Sequence, residues 1–206
     1  MSLFGRMLEE IFKRDKKTVV SFFRWLLLGE HIPLDYVDER TGESFVSLVV
    51  DTGDPELVCE VVEKRDAPLK AINAKSKNGF TALDHALLLP RENPARERII
   101  KMLATNDGRA GYGALNHFIM CGDLEGVKEA SAHTISFDER NRDGSTPLML
   151  LAEHGRLELI KHLLEELKIC SFQGDKYQKE LMEAASIAAM FKWEEVQKYL
   201  TNFKWD

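Results

Sequence analysis

The sequence predicts an all-α chain of consecutive helix-turn-helix units, and three observations carry that expectation. A Gly-led turn recurs at Gly42, Gly79, Gly111 and Gly144, at spacings of 37, 32 and 33 residues. Apolar residues follow each turn at i, i+3 and i+4, the spacing of one helical face. A second break, most clearly at Gly53, Gly122 and Gly155, then leads into another stretch of the same periodicity.

The pattern is complete from Gly144 to Leu164. Gly144 suits a turn with positive φ because it has no Cβ to clash. The Thr146 hydroxyl can cap the first helix, and Pro147 fits the first helical position, where a missing N–H costs nothing. Leu148, Leu151 and Ala152 share one face. Gly155 ends that helix, and Leu159, Ile160, Leu163 and Leu164 repeat the spacing on a second. With this G-x-T-P-L turn, small-residue helix, Gly turn and closing pair of leucines, the stretch resembles one whole ankyrin repeat. Such a unit cannot bury its apolar face alone, so one copy demands neighbours.

Laid along the chain, the resemblance implies a solenoid of six units with finger loops, one array spanning 1–206. The first, 1–37, is a cap in which Met7-Leu8, Ile11-Phe12, Val19, Val20 and Phe23 make a helix pair without the Gly-led turn. The second, 38–74, opens at Gly42-Glu43-Ser44-Phe45-Val46 and passes Gly53-Asp54-Pro55 to Leu57, Val58, Val61 and Val62. The long spacing to the next turn implies an extended finger loop around Ala67-Pro68-Leu69. The third, 75–107, opens at Gly79-Phe80-Thr81-Ala82-Leu83-Asp84-His85. Pro90 and Pro94 then mark an insertion between its helices, so the helix carrying Ile99, Ile100 and Leu103 starts late. The fourth, 108–140, reads Gly111-Tyr112-Gly113-Ala114-Leu115, then Gly122-Asp123-Leu124. The fifth is 141–174. The last, 175–206, is a second cap with Leu181, Ala184, Ala185, Ala188 and Ala189, then Val196 and Leu200. Terminal units face solvent on one side and are expected to be atypical.

The chain departs from the family at one position in particular. The His of T-P-L-H ties its Thr into a local hydrogen-bond network; here that place holds Ser47, Asp84, Asn116, Met149 and Ser186 in turn. Polar residues can replace part of the network, whereas methionine cannot.

Composition narrows the chemistry. A net charge of −6 weighs against nucleic-acid binding, which needs a basic footprint. Cys59, Cys121 and Cys170 are odd in number with no C-x-x-C spacing, the pattern of reduced thiols in a cytosol-like compartment. The apolar run at 19–28 is too short to span a membrane and contains Arg24. It follows the basic stretch Lys13 to Lys17, but no small-residue cleavage site follows it, and helix spacing accounts for the same residues. No P-loop, H-E-x-x-H, G-x-S-x-G or paired-carboxylate signature appears. His85 and His117 occupy equivalent places in adjacent units and are read as ordinary helix-surface histidines; no metal or other cofactor is expected. Six units consume the chain, so no catalytic residues are assigned.

The family resemblance implies that partners dock on the finger loops and the exposed side of the first helices. Its variable positions fall here on Arg40, Thr41, Glu43, Asp51 and Thr52; on Lys77, Asn78, Phe80, Leu88 and Leu89; on Arg109, Ala110, Tyr112, Met120 and Cys121; and on Arg142, Asp143, Ser145, Glu153 and His154. Phe80, Leu88, Leu89, Tyr112 and Met120 are apolar where solvent-facing residues are expected, and exposed apolar patches mark interaction sites. The expected surface is therefore a central patch of these five, rimmed by Arg40, Lys77, Arg109 and Arg142. The alternative is that Leu88 and Leu89 pack against the insertion and that Phe80 and Tyr112 stack between fingers. Trp193, Phe203 and Trp205 are expected to seal the last helix, and Arg91 to Arg98 to be surface elaboration.

The implied function is a stand-alone protein-interaction module, monomeric when free, acting by recruitment or occlusion of another protein in the cytoplasm. Short divergent chains of this kind resemble effectors that bacteria deliver into host cells, which would place it in host cytoplasm. Competing readings are an intracellular inhibitor or assembly chaperone that masks a partner surface, and an enzyme using His85, His117 or Cys121 in the concave groove. No nucleic acid or membrane partner is expected.

Overall fold

A computed structural model describes residue 7 and residues 10–29, 32–134, 137, 139–141, 143–167 and 175–204. Regular structure among them is helical, with Val37 and Ser44 paired in an isolated antiparallel bridge. The chain divides into two compact units, 1–114 and 115–206.

In the first unit, helix α1 (Lys16–Leu28) starts where the Asp15 carboxylate accepts from Thr18 N at 3.1 Å and buries Val19, Val20, Phe23, Leu26 and Leu27. Helix α2 (Phe45–Asp51) is capped by the Ser44 hydroxyl. Helix α3 (Pro55–Cys59) has Asp54 as its cap, 2.8 Å from Leu57 N, with Pro55 at its start. It then widens into a π turn at Glu60–Lys64. The stretch read as a plain finger loop around Ala67-Pro68-Leu69 instead contains a one-turn helix, α4 (Leu69–Ile72). Pro68 pre-sets its entry, and Ala71 and Ile72 are buried. Helix α5 (Ala82–Leu88) is followed by the insertion, and helix α6 (Arg96–Thr105) begins late, as the two prolines predict. Phe23, Phe45, Leu57, Leu83, Leu87, Ile99 and Leu103 are the large, fully buried side chains here.

The insertion is more than surface elaboration. Arg96 is buried, and its guanidinium donates to Leu87 O at 2.7 Å and Leu89 O at 3.1 Å. It thereby satisfies carbonyls that the end of α5 leaves open. A charged run in the sequence does not reveal which arginine turns inward.

In the second unit, helix α7 (Gly113–Cys121), which begins at the boundary, precedes α8 (Leu124–His133), capped by Asp123. Helix α9 (Pro147–Glu153) has Thr146 as cap and Pro147 at its first position, as the sequence predicts. Helix α10 (Leu157–Lys161) also widens into a π turn, His162–Glu166. Helices α11 (Asp175–Met190) and α12 (Glu194–Asn202) close the described chain and bury Leu181, Ala184, Ala185, Ala188, Val196 and Leu200. Ala189, read with the core alanines, is exposed.

Candidate partner-binding surface

The finger side of the first unit is built on backbone hydrogen bonds. Asp38 Oδ1 accepts from Arg40 N at 3.0 Å and Thr41 N at 2.9 Å, turning the first finger back toward Gly42. Lys77 N donates to Thr41 O at 2.8 Å, which ties the next finger to it. The third is tied through Asp84. This buried carboxylate accepts from Thr81 N at 2.8 Å, from Gly111 N at 2.8 Å and from Ala114 N at 2.9 Å. The Thr81 hydroxyl lies 2.9 Å from Asp84 Oδ2 and 2.8 Å from Arg109 O, so one proton serves both. Asp84 thus performs the latch that the family's His would provide. Its two oxygens accept from backbone N–H groups that would otherwise be buried and unpaired.

On this frame Phe80 and Tyr112 interlock. A Cβ on Gly79 would collide with the Tyr112 ring, and a Cβ on Gly113 with the Phe80 ring. Each ring therefore lies directly on the glycine beside the other. Both remain half-buried rather than solvent-facing, which favours the stacked alternative over a freely exposed pair without removing the outer ring faces from view. Lys75 Nζ stands 6.0 Å from the Tyr112 ring centre, within cation–π range. Lys75 belongs to the surface although its sequence position gave no sign of it. Arg40, Lys77 and Arg109 are exposed on the finger segments, and Lys77 Nζ donates to Glu39 O at 2.7 Å.

Leu88 and Leu89 are half-buried at the end of α5, where Arg96 holds the Leu89 carbonyl. His85 is not a free surface histidine: its Nδ1 lies 2.7 Å from Asp51 Oδ1, and Phe80 meets its ring edge-on at 5.8 Å. Burial disfavours the charged imidazole, but the hydrogen bond and charge of Asp51 outweigh it, so His85 titrates above the ordinary histidine value.

The second unit presents its own apolar surface. Met120 is 59% exposed and Met190 78% exposed, with Phe191 beside Met190 at the end of α11. Trp193 covers Gly155 and donates from Nε1 to Glu153 O at 2.9 Å, which fits the sealing role expected of it. His117 Nε2 and Cys121 Sγ, both exposed, lie 3.7 Å apart. Among the described residues no group of three His, Cys, Asp or Glu could hold a metal ion, and no helix is long and apolar enough to cross a membrane. Arg142 and Trp205 lie outside the described residues.

Comparison with known proteins agrees with this architecture. The family model for the ankyrin repeat matches residues 143–169. The crystal structure of EF0377, an ankyrin repeat protein, is similar over 99% of this chain and 100% of its own, with a TM-score of 0.55 and 19% sequence identity. Identity that low speaks for the fold alone. No curated protein matches the chain significantly.

Proposed function

We propose that this chain, which has the ankyrin-repeat fold and matches the ankyrin-repeat family model over residues 143–169, binds a partner protein through the finger side of residues 1–114. Repeats of this kind generally serve as protein-interaction modules, offering extended binding surfaces. The observation that carries the reading is the Phe80–Tyr112 interlock. Two aromatic rings are held on glycines, half-buried, with Lys75 over the Tyr112 ring and Arg40, Lys77 and Arg109 exposed on the neighbouring finger segments. Rings fixed before binding lose little side-chain freedom on docking, and aromatic residues with arginine supply most interface hot spots. Recruitment or occlusion of the partner follows from binding alone, because the proposal gives the chain no chemistry of its own.

The test is affinity capture from lysate with mass-spectrometric identification, using the wild-type chain, Phe80→Ala, Tyr112→Ala and the surface variant Lys77→Glu. A protein retained by the wild type and lost from all three, each shown by circular dichroism to keep its helices, supports the surface. The same proteins retained by every variant would overturn it.

A further inference from the structure

The first unit has a second feature that the finger side does not use. Between α1 and α3 lies a groove of about 290 Å³. Leu27 and Leu57 form its floor and are buried, whereas Leu28, on its wall, is 81% exposed. A leucine this exposed at the mouth of an apolar groove leaves surface that a partner could cover. The volume is at the low end for ligand sites, which suits one large side chain rather than a whole cofactor.

The charges around the groove are unevenly committed. Glu60 is held by Arg65 at 3.2 Å and Lys64 at 3.4 Å, and Glu56 by Arg98 at 2.7 Å. Among the described residues Arg24 has only a 3.9 Å approach to Asp54, and that carboxylate is already the cap of α3. Both carboxylates on the groove therefore have close cationic partners, while Arg24 has no close anionic one among the described residues. A second negative group can approach Arg24 without displacing an existing pair.

We propose that this groove docks a partner segment that places one large apolar side chain on Leu27, Leu28 and Leu57 and sets an adjacent carboxylate against Arg24. The site is separate from the finger surface and stands or falls independently of it. A segment with a lysine in place of the carboxylate would meet Arg24 in repulsion, and a purely apolar one would leave the arginine unused.

The probes are the capped peptide acetyl-Ser-Gly-Phe-Asp-Gly-Ser-amide and its twin with lysine in place of aspartate, titrated into the full chain and followed by backbone amide shifts. Saturable shifts at Leu28 and Leu57 with the acidic peptide, and weaker ones with the basic twin, are expected. Arg24→Gln should weaken the acidic peptide about fivefold, and Arg24→Glu should invert the preference between the twins. Leu28→Ala, at an exposed position outside the core, should weaken both roughly tenfold. Equal shifts with the two peptides, or a preference that survives Arg24→Glu in a chain of unchanged melting temperature, would overturn the proposal. Finger variants such as Lys77→Glu should leave these titrations unchanged.

Discussion

The turns at 79–84 and 144–149 close a finger onto a first helix with different chemistry. At 144–149 the sequence follows the family closely: Pro147 starts the helix, the Thr146 hydroxyl caps Met149 N at 3.3 Å, and Met149 is buried. Outside help comes from Arg140, which donates to Gly144 O at 2.6 Å and lies 3.7 Å from the Met149 sulfur. At 79–84 there is no proline, and Asp84 stands where methionine stands in the other turn. Its carboxylate serves its own helix start and also two amides, Gly111 and Ala114, much farther along the chain. The turn with the weaker resemblance is the more heavily cross-linked. Departure from a family pattern is here a change of bonding partner and not a loss of structure.

The comparison breaks first at Asp84. Asp84→Ala leaves the Gly111 and Ala114 amides buried and unpaired and removes the return arm of the Thr81 capping box, a loss of about 4 kcal/mol. Met149→Ala removes only buried apolar volume, costing about 2–3 kcal/mol. Urea unfolding of the two variants measures the difference, and an Asp84→Ala no more damaging than Met149→Ala would put the two turns on equal terms. Asp84→Asn should fall between, because its NH₂ faces an N–H.

The glycines come next. Gly79 and Gly144 have nearly the same positive φ, 82° and 81°, so alanine carries the same backbone penalty at both, about 1 kcal/mol. They differ in what surrounds them: nothing lies within 4 Å of a Cβ at Gly144, whereas the Tyr112 ring occupies that space at Gly79. Gly79→Ala should therefore cost about 3 kcal/mol once overpacking is added, against about 1 for Gly144→Ala. Thermal melts that rank them equally would mean that the ring moves aside freely.

The smallest effect concerns His85, in the helix that follows the 79–84 turn. Its folded-state value is raised by Asp51, so its contribution is full below the unfolded value and is lost as pH rises through the folded one. Relative to His85→Gln, the wild-type advantage should shrink by a few tenths of a kcal/mol between about pH 6 and pH 8. An advantage that grew over that range would reverse the assignment.

Much of the architecture was legible because it is local. Thr146 and Pro147 act within one turn of themselves, the glycine breaks fall where periodicity stops, and Pro90 and Pro94 delay α6 by simple steric exclusion. What escaped reading acts across repeats. The glycine under each ring lies about one repeat away in sequence, so Phe80 and Tyr112 look exposed until the fingers are paired. Arg96 looks like one more surface arginine until the carbonyls it reaches are known. The α4 turn sits in a stretch too short for periodicity to show. Of the surface residues named from sequence, Arg40, Lys77, Arg109 and Met120 are exposed and the four other apolar ones within the described chain are half-buried.

The crossed seating of Phe80 and Tyr112 has a consequence for how this molecule can change. Each finger supplies both a ring and the bare backbone on which the other's ring rests. Altering one loop alone leaves either a ring without a seat or a seat without a ring. New specificity at the proposed surface would have to be acquired by paired substitution, and loop grafting should treat 79–80 and 112–113 as one transplantable element.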